Sequence, residues 1–252
     1  MKTGEERNIS VTTALIIANI AVFVLGYFST TQALFGIPFP SSPPASAEPT
    51  TLVRGAYSWY TCFMEGEVWR LITYQFLHSS PMHLIFNMWA LFFFGPAVEQ
   101  AMGARRYLIF YLACGVAGAL FSSLLSAQGF FAPPDSPMLD HLMLRLSDVT
   151  GCEGLEFWEV VPMVGASAAI YGVLVSVAFL YPHLHVSLIF PPVTMTLRTF
   201  AIAVLLIAIL TVLLNGDNAG GEAGHLGGII LSAIIMLIWR NRYRKKLYGG
   251  RE

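Results

Sequence analysis

Charge is what this chain has least of. Of its 252 residues only 12% are Asp, Glu, Lys or Arg, where soluble domains carry about 25%, and 56% are hydrophobic. Composition of this kind points to lipid as the solvent; the basic tail RNRYRKKLYGGRE could form a lipid- or nucleic-acid-binding patch but reads as a stop-transfer anchor, so no nucleic-acid partner is expected. Cysteine is scarce too: Cys62, Cys114 and Cys152 have the spacing of neither a disulfide framework nor a metal site. No polar low-complexity tract is long enough to act as a disordered tail, so one compact domain is expected. A signal peptide is also missing, since MKTGEERNIS leads into an apolar stretch too long for such a peptide and without a small-residue cleavage site. That stretch is expected to remain in the protein as a span.

What is present is a series of apolar runs. Crossing about 30 Å of hydrocarbon takes roughly 17 to 25 helical residues, and six candidates fit: 11–33, 83–101, 106–127, 165–181, 196–214 and 223–240. The fold class expected is an all-α, six-helix membrane bundle over 11–240, with a short N-terminus at 1–10 and a basic tail at 241–252. Two long connections stand out. Residues 34–82 begin Pro-rich and end in EVWRLITYQFLHSSP, where Trp69, Arg70 and Tyr74 favour a membrane interface. Residues 128–164 carry Asp135, Asp140, Asp148, Glu153, Glu156 and Glu159 and must lie outside the bilayer.

Six spans put both termini on one side. Eleven of the fourteen basic residues (Lys2, Arg7, Arg105, Arg106, Arg198, Arg240, Arg242, Arg244, Lys245, Lys246 and Arg251) then fall on that side, and only Arg54, Arg70 and Arg145 fall opposite. The positive-inside rule makes the terminal side cytoplasmic and the two long loops external; a bacterial inner membrane is the expected setting. Cys62 and Cys152, both external on this reading, are candidates to pair in an oxidising compartment.

Polar side chains inside spans are costly, so those retained mark a site. His83 and Asn87 open the second span, Ser167 the fourth and His225 the sixth, all at the outer end. Ser167 sits among small residues, Gly165-Ala166-Ser167-Ala168-Ala169, which lets other backbones approach. His225 shares a helix face with Gly228 and Ser232 at i+3 and i+7, and such a face allows near contact with a neighbouring helix. A hydroxyl needs a base within hydrogen-bond reach to become a nucleophile, and histidine suits that role. No acid lies in the spans to orient the imidazole, Glu99 being at the far end of the second, so a two-residue Ser167–His225 pair is expected. Tyr171, at i+4 from Ser167, is placed to stack on the imidazole. His83 and Asn87 at i, i+4, with the backbone N–H of Ser167, are candidate oxyanion donors. No metal or other cofactor is implied.

Taken in order, Glu67-Val68-Trp69-Arg70, Phe76-Leu77-His78, His83 through Met88, Phe94-Gly95 with Glu99, Gly165-Ala166-Ser167 and Gly224-His225-Leu226-Gly227-Gly228 resemble the motifs of the rhomboid family of intramembrane serine proteases over nearly the whole chain. The resemblance implies a Ser167–His225 dyad in a water-filled site open to the outside. It implies oxyanion stabilisation by His83 and Asn87, support from Tyr171, Gly165 and Gly228, and structural roles for His78, Trp69 and Arg70. It further implies cleavage of single-span membrane substrates, with the fifth span as a lateral gate. Two residues depart from the pattern: Ala168 and Ser232 stand where glycines are usual. A catalytically silent, helix-binding relative would be expected to lack the Ser or the His. A small transporter would show internal repeats and charges paired at the midplane, and neither is present.

Overall fold

A computed structural model describes residues 9–29, 55–131, 159, 162–188 and 192–248. It is mostly helical. The first apolar run forms α1 (Val11–Ser29), followed after the first long connection by α2 (Pro81–Met102), α3 (Ala104–Ala127), α4 (Ser167–Leu180), α5 (Leu197–Leu213) and α6 (Ala219–Tyr248). Local chemistry sets several ends. Ser80 caps α2, its Oγ accepting from the His83 N–H at 3.1 Å, and Pro81 opens the helix, where its missing N–H costs nothing. Gly103, at φ +82° and ψ 150°, separates α2 from α3 by one residue. That backbone region is essentially restricted to glycine.

Three helices, Pro81–Met102, Ala104–Ala127 and Ala219–Arg240, are long and apolar enough to cross a membrane, and three apolar segments are shorter: Val11–Leu25, Ser167–Leu180 and Leu197–Leu213. The shortness of α4 has a packing reason. It is enclosed by α2, α3 and α6, and ten of its fourteen residues are buried, so protein rather than lipid thickness sets its length. At 1.5 Å per residue it spans about 21 Å, and it begins two residues later than the run 165–181 suggests. Outward, α2 exposes Phe86, Trp89, Phe92 and Phe93, an apolar surface suited to acyl chains. Inward, Leu91, Val98, Tyr107, Tyr111, Cys114 and Val173 form the centre of the core.

The bundle departs from an all-α description at one end. Strands β1 (His185–Ser187) and β2 (Thr194–Thr196) form an antiparallel hairpin with His185 opposite Thr196. Thr196 then caps α5, its Oγ1 accepting from the Thr199 N–H at 3.2 Å.

The segment before α2 is folded against the bundle. Tyr57 and Met163 exchange backbone hydrogen bonds of 3.1 and 2.7 Å. Arg70 is buried, donates to the Ala56 carbonyl at 2.8 Å and pairs with Glu67, while Trp69 stays half exposed. Tyr74 donates its hydroxyl to the Gly115 carbonyl at 2.6 Å. Cys62 is buried; Cys152, its expected partner, lies outside the described residues, as do Asp135, Asp140, Asp148, Glu153 and Glu156 in the second long connection.

Candidate active site

The N-terminal ends of α2, α4 and α6 meet around one cavity of about 270 Å³, lined by Ser167, His225, His83, Gly165, Met163 and the Gly216–Gly221 turn among others. Two helices bring the serine and histidine together. Along their crossing, α6 presents His225 to Ser167, Gly228 to Ala168 and Ser232 to Gly172. The contacts repeat at each turn: His225 Nε2 lies 2.7 Å from Ser167 Oγ, and Ser232 Oγ donates to the Gly172 carbonyl at 2.7 Å, with Ser176 Oγ 3.1 Å away. At the middle step the backbones nearly touch, since a methyl on Gly228 would overlap the Ala168 carbonyl oxygen. Small residues at such a crossing are what allow interhelical hydrogen bonds this short.

The methyl of Ala168 is accommodated by α3. It packs over Gly118, where an added Cβ would come within 2.5 Å of it. Ser232 serves as a polar clasp between α4 and α6, fully buried.

Around the imidazole, the Tyr171 ring lies nearly parallel at 3.9 Å between centroids and 13° between planes. Its other nitrogen, Nδ1, is 2.9 Å from Glu222 Oε2. This carboxylate is the residue at the site that sequence reasoning passed over: α6 begins at Ala219 rather than at 223, so Glu222 lies in the first turn, three residues before the histidine and on the same face. The i, i+3 spacing is the signal that finds it.

Across the cavity, His83 faces Gly165. That glycine has φ +124°, and a Cβ there would sit 2.9 Å from His83 Nε2. The Gly165 N–H donates to the Tyr74 carbonyl at 2.9 Å, so the segment anchored by Tyr74 also fixes the approach to Ser167. Ser79 Oγ is 3.1 Å from His83 Nδ1. Asn87, buried, donates from Nδ2 to the His83 carbonyl at 2.9 Å and is not among the residues lining the cavity. Nor is His78, which is buried beside His83 with ring centroids 5.0 Å apart.

Among the described residues no group of three or more His, Cys, Asp or Glu is disposed to hold a metal ion. A serine hydroxyl against an imidazole, in a cavity also lined by a second imidazole, is equipped for acyl transfer.

Comparison with known proteins gives a consistent result. The profile of the Rhomboid domain matches residues 65–242. The rhomboid protease AarA of Providencia stuartii is 28% identical over 232 residues, covering 92% of this chain and 73% of that protein. The rhomboid protease GluP of Bacillus subtilis (strain 168) is 30% identical over 210 residues, 81% of this chain but only 33% of the relative. An Arabidopsis thaliana protein named inactive RHOMBOID-like protein 8 is 37% identical over 70 residues, 28% of this chain and 20% of its own length.

Proposed function

Because the chain belongs to the rhomboid family, and is thereby an integral membrane protein, we propose that it is a serine endopeptidase that cuts membrane-protein substrates at membrane level through Ser167 and His225. The observation that carries this reading is the 2.7 Å contact between Ser167 Oγ and His225 Nε2. In the first step Ser167 Oγ bonds to the scissile carbonyl carbon while its proton passes to Nε2. The imidazolium then protonates the departing amine, and a water drawn from the cavity repeats the sequence to release the acyl group. The developing oxyanion is met by the Ser167 N–H and by His83. If the Ser79 hydroxyl donates to His83 Nδ1, the ring proton belongs on Nε2, the nitrogen beside Gly165. Asn87, outside the cavity lining, donates one Nδ2 hydrogen to the His83 carbonyl, and its second Nδ2 hydrogen would serve the oxyanion only after the side chain turns into the cavity.

We further propose six membrane spans, both termini in the cytoplasm, and residence in a bacterial inner membrane. The charge asymmetry supports the orientation, since eleven of fourteen basic residues fall on the terminal side. Single-span proteins are the substrate class proposed, because a lone helix is the membrane segment most easily unwound at such a cavity.

The test is cleavage of a single-span reporter in proteoliposomes. Ser167→Ala and His225→Ala should abolish detectable cleavage, and His83→Ala should reduce it about 10² to 10³-fold. Residual proteolysis in Ser167→Ala would sink the nucleophile assignment, and an inert wild type across several reporters would favour a catalytically silent relative.

A further inference from the structure

We infer that Glu222 is a positioning residue for the reaction, a carboxylate that holds the His225 ring by its Nδ1–H, so that the working group is three residues rather than two. The inference rests on the serine–histidine reading above. Glu222 Oε2 lies 2.9 Å from His225 Nδ1 while Ser167 Oγ lies 2.7 Å from Nε2, so both ring nitrogens are engaged by groups on opposite edges. A carboxylate accepts hydrogen bonds and cannot donate. The ring proton therefore belongs on Nδ1, which leaves the Nε2 lone pair to take the serine proton.

Burial gives this contact its leverage. The Glu222 and His225 side chains are only 14% and 10% exposed, and hydrogen bonds to charged groups strengthen where water is excluded. When Ser167 Oγ bonds to the substrate carbonyl, its proton moves to Nε2 and the ring becomes a cation. The proton on Nδ1 stays in place, its bond to the carboxylate now charge-assisted. Tyr171 covers one face of the ring, so stacking fixes its plane and Glu222 fixes its rotation within that plane. Tilting the ring would break one hydrogen bond in order to keep the other.

A carboxylate in the first turn of a helix also has an ordinary use, stabilising the helix start. Separating the two roles requires a readout that helix stability does not move. The experiment uses the full chain in proteoliposomes, as wild type, Glu222→Ala, Glu222→Gln and Ser167→Ala. It measures the rate of serine labelling by a fluorophosphonate, kcat and KM on a single-span reporter, and the melting temperature. Glu222→Ala should slow both labelling and kcat by about 10²-fold with KM within about twofold. Glu222→Gln should fall between, because the amide oxygen still accepts from Nδ1–H.

Labelling and kcat within about threefold of wild type in both variants, whatever happens to melting, would overturn the inference and leave Glu222 as a helix-start charge. If Glu222→Ala does not fold, Glu222→Gln decides on the same threshold. Wild type labelled no faster than Ser167→Ala would instead overturn the serine–histidine reading and the role of Glu222 with it.

Discussion

His78 shows how a single buried side chain sets a pH limit on the fold. Burial, then the neighbouring His83, push its ring down from the ordinary 6.5 to about 3, with only the Phe76 backbone acting the other way. An unfolded chain takes up this proton below 6.5, whereas the folded chain refuses it until about 3. The contribution is therefore fully present above 6.5 and is lost progressively as pH falls from there toward 3. At about pH 4.5 the cost is on the order of 2 kcal/mol. Melting in detergent should fall more between pH 7 and about 4.5 for wild type than for His78→Gln; equal falls would contradict the account. Residues such as His83, Ser167 and His225 were legible because a polar group in an apolar run carries a desolvation cost that needs a reason. Glu222 carried no such signal. Placed in the connection before a helix taken to start at 223, a carboxylate is cheap, and its relation to His225 exists only because α6 begins at Ala219.

At the scale of elements, the crossing of α4 and α6 carries the site. A methyl on Gly228 would overlap the Ala168 carbonyl oxygen, a backbone atom with no rotamer to retreat into. Gly228→Ala should therefore push the helices apart, at about 1 to 3 kcal/mol of stability, and lengthen the hydrogen bond between Ser167 and His225 one turn away. Cleavage should drop at least about tenfold while insertion proceeds; wild-type cleavage at wild-type melting temperature would refute the tight crossing. The apolar runs 83–101 and 106–127 lie within two residues of α2 and α3, since lipid-length hydrophobicity and helix length agree there. Agreement failed for α6, which extends to Tyr248: Gly220, Gly221 and Gly224 imitate a loop at its start, and RNRYRKK stays helical after its charge has ended the apolar run. The β1–β2 hairpin was illegible because three residues per strand cannot display an alternation.

On the scale of the whole molecule, α1 is tied to the bundle by one carboxylate. Glu99 of α2 accepts from the Val11 N–H at 2.7 Å, the Thr12 N–H at 2.9 Å and the Thr12 hydroxyl at 2.7 Å, serving the unpaired donors at the α1 start from another helix. Glu99→Ala should cost about 1 to 2 kcal/mol and speed amide exchange across α1, while fluorophosphonate labelling of Ser167 stays within about twofold. Unchanged exchange would mean that apolar contacts alone hold α1. In the sequence Glu99 was visible as a lone acid near a span end and as part of the Phe94-Gly95 motif, but its hold on α1 was not, because its partners lie 87 and 88 residues away. A different consequence follows from Gly103, the single residue between α2 and α3. With no slack at the bend, the end of α2 and the start of α3 cannot move apart, so these two helices, both long and apolar enough to cross a membrane, are bound to behave as one folded-back unit. Arg105 and Arg106 are exposed beside that bend, so one pair of charges marks the shared end of both helices.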